Sequence, residues 1–173
     1  MIVTPEYCVA MARYNAWQNR QLKAAFEALP AAELMKNRQA FFGSLLGTAN
    51  HLLWGDLMWI GRFDGGPAPE GGIGGSTGLC ETGLAWSVER FRADARILLW
   101  AEGLHAVDLV GDLTWWSGAL GREMRKPRSL CVVHMFNHQT HHRGQIHAML
   151  TAAGAVAPVS DLPFMPEVAQ PAG

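Results

Sequence analysis

Over residues 5–29 a largely apolar stripe returns every three or four positions, at Tyr7, Met11, Tyr14, Gln18, Leu22, Ala25 and Leu29, the spacing of one helical face. Thr4-Pro5-Glu6 supplies its start: a side-chain cap, a residue preset for the first turn, and an acid at the positive end. A second helix is predicted over 44–63, where Leu45, Leu46, Ala49, Leu52, Leu53 and Ile60 cover more than one face and so demand burial. A third is predicted over 82–103, with Leu84, Val88, Phe91, Ala95 and Leu98 on one stripe and Arg90, Arg92, Asp94 and Arg96 largely off it. A fourth runs over 129–153 and stops at Gly154.

The pattern breaks in three places. Residues 64–78, DGGPAPEGGIGGSTG, hold too much glycine and proline for a helix or strand. A loop this long needs a reason. About 17 extended residues reach roughly 55 Å, and a 20-residue helix is about 30 Å long, so the loop is a crossover that lets helices 2 and 3 lie parallel. Residues 105–127 read as a short hairpin turning at Gly118 to Gly121, and the proline-rich tail after Gly154 as an extended arm. Four long helices without a convincing sheet give the expected fold class: all-α, a four-helix bundle, as a single domain over 1–173.

Composition sharpens this. The chain has 173 residues, enough to bury a core without staples. It is 49% hydrophobic and 17% charged, against about 25% charged in an ordinary soluble domain. The excess apolar surface points to a self-interface, hence a homodimer, or to a deep pocket. Fourteen basic and 15 acidic residues exclude a nucleic-acid binder that works through a basic face. No apolar run is long enough to span a membrane, and the start lacks the pattern of a signal peptide. Cys8, Cys80 and Cys131 are odd in number and far apart, which fits a reducing cytoplasm, with Cys8 and Cys131 as small core residues.

The chemistry lies in the histidines. Five of seven fall between 134 and 147. On a helix His138 and His142 share a face, and neutral imidazoles at i and i+4 can take adjacent sites on one zinc, nickel, copper or iron ion. The run His138-Gln139-Thr140-His141-His142 matches the ligand spacing of HExxH, but Gln139 cannot serve as a base, which rejects a zinc peptidase. His51 is the candidate third ligand, an imidazole within an apolar helix where an unpaired ring is costly. Gly47 and Gly55, a turn to either side, suggest that space is wanted beside it. Three ligands leave a position open, as catalytic sites do. His105, His134, His141 and His147 read as supporting, interface or surface residues.

Tyr14-Asn15-Ala16-Trp17-Gln18-Asn19, Phe42-Gly43-Ser44, His51-Leu52-Leu53-Trp54-Gly55-Asp56, the tract from Asn137 to Gln145, and Asp161-Leu162-Pro163-Phe164-Met165 together resemble the DinB family, within the DinB/YfiT-like superfamily of metalloenzymes. The resemblance implies a four-helix bundle of up-down-down-up topology, with the long crossover between helices 2 and 3. It also implies a homodimer and a three-histidine divalent-metal site at His51, His138 and His142. The superfamily includes transferases and isomerases that use low-molecular-weight thiols.

The function expected is therefore a divalent-metal-binding protein and metal-dependent enzyme resembling thiol-dependent S-transferases. Zinc or nickel is the metal first expected, with iron, manganese or cobalt behind. A thiol and a small electrophilic substrate are the expected partners. The alternatives are a metal-dependent hydrolase and a non-catalytic metal-binding dimer. Tyr14, Trp17, Trp54 and Trp59 are candidate pocket walls. No catalytic base is assigned; Asp56 and His141, near the ligands in sequence, are read as holding a ligand imidazole in its tautomer.

Overall fold

The computed structural model describes residues 2–167. Four long helices carry it: α1 (Pro5–Glu27), α3 (Leu45–Asp64), α4 (Gly83–Glu102) and α5 (Arg128–Ala152), with a short α2 (Ala31–Met35) between the first two. Three begin on side-chain caps. Thr4 accepts from the Tyr7 amide at 3.2 Å, Ser44 from Gly47 at 3.0 Å and Thr82 from Ala85 at 3.1 Å. α3 ends on Gly65, whose φ of 72° stops the helix in the left-handed conformation. Among the described residues no helix is long and apolar enough to cross a membrane.

Side-chain pairings fix how α3 and α4 run. Trp86 donates to the Ala49 carbonyl, Arg90 to Asp56 and Arg96 to Asp64. The numbers rise together, so the two helices point the same way, and the glycine-rich segment returns along α3 to join them. The segment is held at both ends. Arg96 forks onto Asp64 and donates to the Pro67 carbonyl; Asn50 donates to the carbonyls of Thr77 and Cys80. Ile73–Gly78 closes into a 3-10 turn.

The expected all-α four-helix bundle of up-down-down-up topology does not stand as written, because the chain carries an antiparallel sheet. β1 (Asp112–Ser117) pairs with β2 (Arg122–Pro127), Trp115 opposite Met124. Gly111, Gly118 and Gly121 prevent a helix here, and Gly121, at φ 61°, closes the turn. Alternation turns Leu113 and Trp115 inward, where Trp115 meets the Trp59 ring at 5.5 Å. The hairpin survives because α3 and α5 give its apolar face something to cover. The chain after α5 is not a free arm. Tyr14 donates to the Ser160 carbonyl at 2.5 Å and Gln18 to that of Val159 at 2.6 Å, laying it on α1; residues 168–173 of the expected arm lie outside the described residues.

The core is divided by a polar layer. One apolar cluster gathers around Cys8, Ile60, Ile97 and Phe136, the other around Leu22, Leu53, Trp86 and Leu150. Between them, Arg90 bridges Asp56 at 2.6 Å and Asp94 at 2.9 Å. Asn15 and Asn19 donate to Asp94, Gln139 donates to Asp56, and Arg143 donates to Asn15. All seven residues are buried, and together they tie the four long helices. α4 therefore points charge inward and leaves Leu84, Val88 and Phe91 exposed at 73%, 44% and 75%. Cys8, Cys80 and Cys131 are buried thiols. Burial pushes all three above the ordinary thiol value, Cys8 to about 11, which suits core packing and not nucleophilic work.

Candidate metal centre

His51 comes from α3, and His138 and His142 from successive turns of α5. The fold brings them together: each offers one ring nitrogen, and these nitrogens all lie within 4.8 Å of one another. α5 is held in rotation by Gln139 and Arg143, each the residue after one of these histidines and each locked into the polar layer.

The tautomers follow from the partners. The Ser76 hydroxyl gives its single proton to the Ile73 carbonyl at 2.6 Å. It can then only accept from His51 Nδ1, 3.0 Å away, which leaves His51 Nε2 with its lone pair free. Gln145 Oε1, 2.8 Å from His142 Nδ1, likewise accepts and frees His142 Nε2. That nitrogen faces His138 Nε2 at 3.0 Å, while His138 Nδ1 is buried with no partner among the described residues. Burial, followed by the charge of His142, lowers His51 to about 4; burial and the neighbouring histidines lower His138 to about 3. Burial also lowers His142, against the Gln145 hydrogen bond, so the three rings favour the neutral state a metal ligand requires. In the metal-free chain His138 Nε2 donates to the freed His142 Nε2; a borderline cation that takes imidazole nitrogen would replace that shared proton, with no carboxylate partner needed.

Phe42 stacks on His51 with ring centres 3.8 Å apart and closes one side. On the other side His51 and His138 border a cavity of about 640 Å³. Trp54 and Trp59 line it as expected; Tyr14 lines a different cavity, against the chain after α5, and Trp17 packs on Tyr14. Asp56 is engaged by Arg90 and Gln139, and His141 is exposed on Gln145 Nε2. Neither orients a ligand ring; Ser76 and Gln145 do. Gln145, three residues after His142, could have been found by helical spacing. Ser76 could not, because only the returning loop brings it to His51. Nor do the flanking glycines leave a vacant space. A Cβ at Gly47 would stand 2.6 Å from the Phe42 carbonyl oxygen, and one at Gly55 2.8 Å from His138 Cε1. Gly47 admits the chain entering α3, and Gly55 admits a histidine ring.

The DinB family model matches residues 1–173. This chain belongs to the DinB family. Protein DinB of Bacillus subtilis (strain 168) is 26% identical to it over 161 residues, covering 90% of this chain and 91% of that one. The crystal structure of a DinB-like protein from Bacillus cereus ATCC 10987 superposes with a TM-score of 0.61 at 17% identity, over 83% of this chain and 90% of that one. The DinB fold is thereby shared, and the three-histidine cluster is one that could hold a metal ion.

Proposed function

We propose that His51, His138 and His142 hold one divalent metal ion, zinc or nickel suiting three neutral imidazoles best, and that the site performs thiol-dependent S-transfer. The observation that carries this reading is the convergence of three ring nitrogens, with His51 and His138 bordering an open cavity. Three protein ligands leave a coordination position for a small molecule, whereas structural sites are closed by four. When bound, the ion supplies a Lewis-acid position at which a thiol loses its proton more readily. The chain's part is to fix the ligand rings through Ser76 and Gln145, to shield one side with Phe42, and to offer Trp54 and Trp59 as apolar walls for the electrophile.

Metal content measured on wild type and on the three single His→Ala variants tests the ligand set: about one ion per chain is expected in the first, and most of it lost in each variant. Undiminished occupancy in the His138→Ala, His142→Ala double variant overturns it. Thiol consumption with 1-chloro-2,4-dinitrobenzene, with and without metal, tests the reaction. Metal-dependent cleavage of a p-nitrophenyl ester without thiol turnover would instead indicate hydrolysis.

The assembly we propose is a homodimer through α4. Laid antiparallel on a second copy about Phe91 and Arg92, Leu84 meets Leu99 and Val88 meets Ala95, apolar on apolar, and Leu84, Phe91 and Leu99 are each more than 70% exposed.

A further inference from the structure

The cavity that begins at His51 and His138 ends at a cation. Arg62 lies two helical turns beyond Gly55 on α3, about 10 Å further along the axis. Its guanidinium carbon sits 4.6 Å from the centre of the Trp59 ring and 5.2 Å from that of Trp115. Two indoles, one from α3 and one from the hairpin, thus hold the fork in place. Among the described residues Arg62 forms no ion pair and its side chain makes no hydrogen bond, and no carboxylate lines the cavity. The other arginines that reach into the structure are occupied: Arg90 by two aspartates, Arg96 by Asp64, Arg143 by Asn15.

A second observation concerns the histidine end of the cavity. Trp54, 9% exposed, lines this cavity, and its indole N–H is buried with no acceptor among the described residues. A buried donor without a partner is expensive unless a ligand supplies one. The walls between the two ends are mainly apolar, Trp54, Met58, Trp59, Ile73 and Trp115, with His134 and Ser117 as polar members.

We infer that the substrate is a small carboxylate with an apolar body, its carboxylate held by Arg62 and its reacting end directed to the three histidines. This deepens the proposed function, because it names the substrate class of that same site. A planar guanidinium matches a carboxylate with two parallel hydrogen bonds. At the Arg62 end the lining offers a single guanidinium, remote from the histidines, which matches one carboxylate better than a doubly charged phosphate.

The test compares three probes of one shape: 3-phenylpropionate, its neutral amide, and phenethyl phosphate. Binding is followed by the indole N–H signals in nitrogen–proton NMR spectra, in metal-free and in zinc-loaded protein. The carboxylate should bind at least tenfold tighter than the amide, perturbing the indole signals of Trp54 and Trp59. Arg62→Met should abolish that preference, and Arg62→Lys should restore only part of it. Equal affinity for carboxylate and amide in both protein forms, or a preference that persists in Arg62→Met, overturns the inference, and tighter binding of the phosphate overturns the assignment to a carboxylate. Should Arg62→Met not fold, the wild-type ratio decides alone. The same comparison in His138→Ala separates this inference from the metal reading: a retained preference for the carboxylate there upholds the Arg62 subsite even if no metal is ever found.

Discussion

Ser76 accepts from His51 across 3.0 Å although the two belong to segments of opposite character, a glycine-rich loop and a buried helix. The loop therefore does more than connect α3 to α4: it sets which nitrogen of His51 faces the site. Ser76→Ala should weaken metal binding about 10- to 100-fold, the usual cost of losing such a support, with the helical circular dichroism spectrum unchanged. Competition with a chromophoric chelator measures it.

The glycines flanking His51 should separate in their effects. Gly55→Ala pushes a methyl against the His138 ring, and Gly47→Ala pushes one against the Phe42 carbonyl. Each should cost about 1–3 kcal/mol in urea denaturation. Only Gly55→Ala should also weaken metal uptake beyond what its lost stability explains.

Arg90 stands between two buried aspartates, so Arg90→Met leaves both carboxylates without their cation. Removing one partner of a buried pair costs about 3–5 kcal/mol. Urea denaturation should show a loss of that size, and Arg122→Met, exposed on the hairpin, should show almost none.

Arg96 hydrogen bonds hold the Asp64 carboxyl below its ordinary value, with the Gly66 amide assisting. The unfolded chain then binds this proton more readily than the folded one. Its contribution is complete above about pH 4 and is lost as pH falls through the lowered folded value. The pair is partly exposed, so about 0.5–1 kcal/mol is at stake. Asp64→Asn should lower stability by that amount at pH 7 and by progressively less towards pH 3, read from urea midpoints across the range.

Phe91→Glu places a charge at the centre of the apolar stripe on α4. Light scattering should report a dimeric mass for wild type and a monomeric one for the variant, at micromolar concentration and with the fold intact.

How much of this was legible in the chain depends on the range of the interaction. Thr4, Ser44 and Thr82 act within one turn, so the starts of α1, α3 and α4 could be read directly. The i, i+4 spacing of His138 and His142 is equally local, and His51 stood out as a polar ring in an apolar run. The inward face of α4 was not legible. Leu84, Val88 and Phe91 look like a core stripe, and nothing near Arg90 in sequence announces Asp56 on another helix. Ser76 and Arg62 were invisible for the same reason, since loop return and hairpin docking create their neighbourhoods. The hairpin itself was read from Gly118 and Gly121, but the fold class still expected helices alone.

The site draws on α3 and α5, and this has a consequence for the chain as it is made. A ribosome delivers His51 and Ser76 well before His138 and His142, so a nascent chain displays one imidazole, a poor trap for a scarce cation. The full trio exists only once α5 has docked and Gln139 and Arg143 have joined the polar layer. On the proposed metal reading, uptake of the ion follows the docking of α5. An ion that binds only the finished arrangement would then act as a clasp, stabilising the state in which the last long helix is docked.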